Sequence, residues 1–304
     1  MPRASNISPT RTIRHVERAS SARYLRSRRQ SRRRQTVGVV GDPEIVAAAA
    51  ELRAADLEPG LAFAVFDQQD SGCVSFGIAA AGRDWFVKTA TTLDASASLA
   101  NAVEVHERCR HRAIVSPVRV FEEPSLTLVY PWRDGTVLNH ATAAGSDRRA
   151  LERFRRLPID LIERAVAVVL DAHVELAACG LVAVDFYDGC LLYDFDRDEI
   201  WLIDLDEYRP GPFVVDADRL PGSTTYMAPE EFTRGAVIDE RTTVFNLGRM
   251  LHHLLTSDDG WRGTIHQSAV VEVATDTDPL HRHTTVAALL EDWTRATTNS
   301  QPAR

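Results

Sequence analysis

Among the 35 basic residues of this 304-residue chain, one is a lysine: Lys88, in Trp85-Phe86-Val87-Lys88. Guanidinium is a planar fork, whereas ammonium is a compact point charge on a flexible stem. A lone lysine against an arginine background marks either a position that needs the compact charge or a chance survivor, and its surroundings decide between them. Two aspartates supply those surroundings. Asp185 closes Gly180-Leu181-Val182-Ala183-Val184-Asp185, and Asp204 closes the apolar run Trp201-Leu202-Ile203. Each alone reads most simply as a solvated turn residue. Together they flank one short predicted hairpin, which can bring both carboxylates to one rim of a cleft. An ammonium facing two carboxylates suits phosphoryl transfer. The ammonium neutralises phosphate oxygens, one carboxylate holds Mg²⁺, and the other orients the attacking hydroxyl.

The elements that must position these groups follow from periodicity and punctuation. Pro43–Leu57 reads as a helix opened by proline. Strand-like runs cover Leu61–Phe66, Cys73–Ala79 and Asp84–Thr89, the last two joined through Ala80-Ala81-Gly82. Ser96–Arg110 reads as a helix, and Val118–Phe121 and Leu126–Tyr130 as strands. Strands with a single early helix predict an antiparallel sheet in this half. Beyond Trp132 helices dominate: one from Pro158 to a glycine stop at Gly180, then Thr242–Leu255 and Thr284–Trp293. The hairpin between the aspartates is Leu191–Phe195 and Ile200–Ile203.

Charge divides the chain. Its net charge is −8, yet residues 1–36 hold eleven arginines and one glutamate, so the remainder carries −18. An acidic body argues against nucleic acid as the main partner, because phosphate backbones require a basic face. The segment 1–40 reads as a disordered Arg-rich arm able to bind an acidic partner, with an upstream start codon or a targeting leader as the alternatives. Four scattered cysteines without a CxxC pair or secretory leader fit a reducing, cytoplasmic setting. No apolar run approaches the length of a membrane span.

The motifs, taken in order, resemble a divergent bacterial serine/threonine protein kinase over roughly residues 60–294. Phe86-Val87-Lys88 resembles the Val-Ala-x-Lys strand, Gly180–Asp185 the approach to the catalytic-loop Asp, and Ile203-Asp204-Leu205 the metal-binding Asp-Phe-Gly element. The strongest match is Gly222-Ser223-Thr224-Thr225-Tyr226-Met227-Ala228-Pro229-Glu230, similar to the end of an activation segment. The resemblance implies a two-lobed α+β fold, with an antiparallel-sheet N-lobe over 41–131 and a mainly helical C-lobe over 132–298. It also implies that ATP and Mg²⁺ (or Mn²⁺) bind, that Asp185 serves as catalytic base and Asp204 as metal ligand, and that Glu230 forms a buried ion pair with Arg282. Lys88 and Glu104 would grip and brace the phosphates. Leu128-Val129-Tyr130-Pro131-Trp132 would form the hinge, with Tyr130 at the gatekeeper position and the Pro131 carbonyl and the Arg133 N–H facing the adenine.

Several positions depart from the kinase pattern. Asp70–Gly77 lacks a proper glycine-rich loop. Ala183-Val184 replace His-Arg, so activation-loop phosphorylation is not expected as the on-switch. Tyr187 replaces a lysine, and Cys190 replaces the second metal-binding Asn, although Mg²⁺ prefers hard oxygen. Asp206 offers a compensating carboxylate for the second metal position, with Asp188 as another candidate. Glu104 is either the partner of Lys88 or a solvated helix residue, since ungapped alignment puts Ala102 there. Thr243 replaces a structural Asp. The leading expectation is transfer from ATP to Ser or Thr of a protein substrate. The alternatives are a pseudokinase or nucleotide-binding scaffold, and a small-molecule phosphotransferase of aminoglycoside- or choline-kinase type.

Overall fold

Alternation along one strand explains how the sheet is built. In β3 (Arg83–Ala90), Trp85 and Val87 point to one face and Phe86 and Lys88 to the other. Trp85 and Val87 are fully buried with Phe76, Ile78 and Val129 against Ala49 of α1 (Pro43–Glu51) and Leu52 just beyond its end. Burying side chains of this size contributes about 1.5–3 kcal/mol each, and the Trp85 indole N–H is satisfied by the Ala80 carbonyl at 2.9 Å. The opposite face packs Cys73, Ala90, Leu128 and Tyr130 against Ala95, Leu99 and Ala102 of α2 (Leu93–Arg108). Thr92 caps α2, its side chain accepting from the Ala95 N–H at 3.1 Å.

The protein is thus α+β, described by a computed structural model for residues 43–57, 61–66, 71–142 and 145–298. All of these belong to one compact unit, residues 37–304; the Arg-rich arm of 1–40 lies outside the described residues. The sheet has five antiparallel strands in the order β1-β2-β3-β5-β4, with β1 at Ala64–Phe66, β2 at Cys73–Ala80, β4 at Arg119–Phe121 and β5 at Thr127–Pro131. Register places Ser75 of β2 and Leu128 of β5 on either side of Lys88.

The helical region has its own core. Ile162, Val166, Val169, His173 and Leu176 stripe the inner face of α4 (Ile159–Ala178), at the three- and four-residue spacing of a helix. Around it lie α3 (Arg149–Arg155), α5 (Glu240–Leu255), α6 (Ile265–Ala274) and α7 (Val286–Thr298). The middle of α5 is buried on all sides, from Thr242 to Gly248. A Cβ at Gly248 would come within 2.7 Å of the Ala274 Cβ, so the glycine lets α5 and α6 approach closely.

The helix expected over Pro43–Leu57 ends at Glu51, and Ala54–Leu57 forms a separate 3₁₀ turn. Asp56 accepts from the Arg53 backbone N–H at 2.8 Å, a local bond that competes with helix continuation. Helices α3 and α6 were not anticipated. The Val-rich run of α6 reads as strand by propensity, but a Thr264/Gln267 capping box starts it as a helix. No helix among the described residues is long and apolar enough to cross a membrane.

Candidate active site

Lys88 reaches the loop after the hairpin Leu191–Asp194/Glu199–Leu202. That hairpin is fixed from two sides. Its first strand pairs with β6 (Thr136–Val137). Its second is held by the segment following α2: the Leu202 N–H donates to the Ala113 carbonyl at 2.7 Å, and the Leu202 carbonyl accepts from the Val115 N–H at 3.1 Å. The chain therefore presents its next residues beneath β3. Lys88 Nζ donates to Asp204 Oδ1 at 2.8 Å and to Asp206 Oδ2 at 2.6 Å.

The electrostatics of the trio follow from burial. Lys88 is 7% exposed. Burial disfavours its charge, yet the two carboxylates outweigh that cost and hold its pKa well above the ordinary lysine value. Burial pushes the Asp206 carboxyl up to about 6 despite the opposing pull of Lys88. The Asp204 side chain is 45% exposed, so this carboxylate remains open to a ligand.

Asp204 and Asp185 share a further property. Both adopt left-handed backbone, with φ of 61° and 58°. Among the described residues, the other non-glycine residues with positive φ are Ala81 and Asp198, which turn the β2–β3 and Leu191–Leu202 hairpins. Asp185 and Asp204 sit in no hairpin turn, and strained conformations of about 1–3 kcal/mol concentrate at functional sites.

Lys88, Asp204 and Asp206 open onto a cavity of about 580 Å³, whose walls include Phe86, Tyr130 and Arg133. This is the size range of a small-molecule or cofactor site. Pro131 also lines it. The Arg133 guanidinium stacks 4.3 Å from the Trp201 ring, and burial lowers its pKa. Tyr130 is buried between Phe86 and His106, with both ring separations at 6.1 Å. Among the described lining residues, three buried polar atoms have no hydrogen-bond partner in the protein: Ser75 Oγ, Arg133 Nε and Asn139 Oδ1.

The other predicted positions behave differently. Asp185 is not among the cavity-lining residues. Gly222 passes over it at φ 143°, where a Cβ would lie 3.6 Å from the Asp185 Cα. Its charge and that of Asp204 nevertheless help to raise the pKa of Tyr187, whose first cause is burial, so the three groups are neighbours. Glu104 is exposed and takes no part in the bonds of Lys88; the inner face of α2 carries Leu99 and Ala102 instead. The expectation that Glu104 braces Lys88 is corrected accordingly: the helix turns that side chain to solvent, and two aspartates occupy the amine. Asp206, expected at a second metal position, is engaged by Lys88. Asp188 is 1% exposed, with Asn139 Nδ2 donating to it at 2.8 Å and His253 Nε2 3.4 Å away, so it offers no open ligand. Cys190 is buried, its thiol donating to the Asp185 carbonyl at 3.4 Å, and burial raises its pKa well above that of a free thiol.

Glu230 and Arg282 form a bidentate pair at 2.7 and 3.0 Å. Thr243, at the position where the resemblance led us to expect an Asp, accepts from the Ala183 N–H at 3.0 Å and so anchors the start of the Asp185 loop. Asn101 was missed altogether. Its amide donates to the carbonyls of Asp206 and Tyr208 at 2.7 and 2.8 Å. A signal was available, since asparagine is a poor residue for a helix interior unless its side chain is needed.

No protein-family model matches the chain, and no curated protein matches it.

Proposed function

We propose that this chain is a two-lobed, protein-kinase-like phosphotransferase that moves a phosphoryl group from ATP to Ser or Thr of a protein. The observation that carries the reading is the convergence of the lone Lys88 and Asp204 on one cavity, with Asp185 beside it in matching left-handed backbone. The donor set suits the ligands. Asp204 offers hard carboxylate oxygen to a divalent cation, and the Lys88 ammonium stands beside it for phosphate. When bound, the cation neutralises charge on the transferring group. Lys88 would direct its charge at phosphate oxygens. The Pro131–Arg133 strand end would receive the base beneath Phe86 and Tyr130. The carboxylate of Asp185 would accept the proton of the substrate hydroxyl.

One observation favours a second reading, a nucleotide-binding scaffold: Asp185 lies under Gly222 and outside the cavity lining. Labelled ATP with Mg²⁺ or Mn²⁺ and a generic protein substrate separates the two, with Asp185→Asn as control. Transfer lost in Asp185→Asn supports the enzyme. ATP binding without transfer moves the reading to the scaffold. Transfer only to small alcohols would replace the protein substrate with a small-molecule acceptor.

A further inference from the structure

We propose that Asp206 and Asn101 are the positioning residues for Lys88, so that helix α2 controls the lysine through the Asp206 loop rather than through an acidic side chain of its own. Three observations converge on this. The first is the inner face of α2, where Leu99 and Ala102 are fully buried and bring no charge towards the sheet, while Glu104 is exposed. The second is the counter-ion. Asp206 is 8% exposed and holds Lys88 Nζ at 2.6 Å, the shorter of its two bonds.

The third is the clamp on Asp206 itself. The single amide of Asn101 donates to both the Asp206 and Tyr208 carbonyls. One turn earlier on the same helix, Ser98 Oγ donates to Glu207 Oε1 at 2.7 Å. Residues 98 and 101 lie three apart and share a helix face. Three consecutive loop residues are therefore tied to α2 by two side chains. Asp206 and Asp204 also differ in kind: Asp206 is enclosed and clamped, whereas Asp204 is half exposed. Asp206 can thus stay with Lys88 while Asp204 turns to a ligand. A shift of α2 would carry Asp206, and with it the amine, away from the cavity.

The importance of this clamp for catalysis rests on the phosphotransferase reading, but the position of the amine can be measured without it. A single lysine in the chain makes ε-¹⁵N-lysine labelling give one side-chain resonance in the full-length protein. Wild type should show a protected ammonium signal at neutral pH. Asp206→Asn should speed its hydrogen exchange by roughly tenfold or more, as expected when a hydrogen bond between two charged groups is weakened. Asn101→Ala, which frees the Asp206 and Tyr208 carbonyls and loosens that loop, should speed it in the same direction. Glu104→Gln should leave it unchanged. Thermal melts on the same samples separate positioning from folding, because a merely structural role would lower the melting temperature without moving the signal. If Asn101→Ala does not fold, Ser98→Ala loosens the same clamp and should displace the resonance in the same direction. An unchanged resonance in the folded variants, or a response to Glu104→Gln, overturns the proposal. Absence of any transfer by wild type, with the resonance behaving as described, overturns the phosphotransferase reading and leaves the clamp standing.

Discussion

Two buried clusters of opposite charge sit in this molecule, and they are built to different ends. Arg282 is saturated. Besides Glu230, its guanidinium donates to the carbonyls of Asp276, Arg241 and Thr277 at 2.7, 3.1 and 3.4 Å and lies 4.7 Å from the Phe245 ring. Thr242 donates to Glu230 at 2.8 Å. The planar fork suits this enclosure, since every nitrogen has a fixed acceptor. Lys88 is the reverse case. One ammonium faces two carboxylates, leaving the trio with an excess negative charge, and Asp204 remains half exposed beside a cavity. A saturated pair holds structure together; an open, unbalanced trio keeps a position available to a ligand.

The largest effect should come from breaking the closed cluster. Arg282→Ala leaves Glu230 as a buried charge without its partner, and the cost should be about 3–5 kcal/mol. A denaturant midpoint that moves by less than a third of this would show that Glu230 is not a structural anchor. In the open cluster the loss should fall on chemistry. Lys88→Arg keeps the charge but not its compact shape, and transfer should drop by about 10²–10³-fold, the scale of losing one electrostatic contact to a transition state. Circular dichroism should show the fold retained. Full activity in this variant would make Lys88 a chance survivor after all.

A third buried group sharpens the contrast because its Nδ1 has no partner. His106 lies behind Tyr130, and burial, aided by Arg110, lowers its pKa to about 3. Unfolded histidine takes up its proton near pH 6.5. Between those values the unfolded state binds more protons, so stability present above pH 6.5 is lost as the pH falls. By pH 4.5 the loss should be on the order of 2–3 kcal/mol. His173, lowered by burial to about 4, adds to the same loss, whereas Asp206 and Glu231, raised by burial to about 6 and about 7, oppose it. Melts from pH 7 to 4.5 should therefore show a shallower slope in His106→Leu than in wild type. An identical slope in the variant would place the acid sensitivity elsewhere.

Much of the site could be read from residue types. Lys88 stood out because it is unique, and Asp185 and Asp204 because each closes an apolar run. The bond between Glu230 and Arg282 was expected from motif resemblance and is present at 2.7 Å. What could not be read was the partner of Lys88. Sequence offered Glu104 because it lies on the right helix, but a helix position two residues from buried Ala102 faces the opposite side. It offered Asp206 for metal because the residue is acidic and close to Asp204 in the chain, yet a carboxylate's role depends on which charge reaches it first.

The sequence by itself determined the alternation that buries Trp85 and Val87 while aiming Phe86 and Lys88 at the other face, the caps that start α2 and α6, and the apolar stripe of α4. These are local consequences of period, propensity and capping. Tertiary structure alone decided that Asp204 and Asp206 meet Lys88 across 116 and 118 residues, that Asn101 holds their loop, and that Gly222 lies over Asp185. Contacts of that separation depend on how two packed regions meet, and no local pattern encodes the rotation of a helix or the path of a loop to within the few ångströms that a hydrogen bond requires.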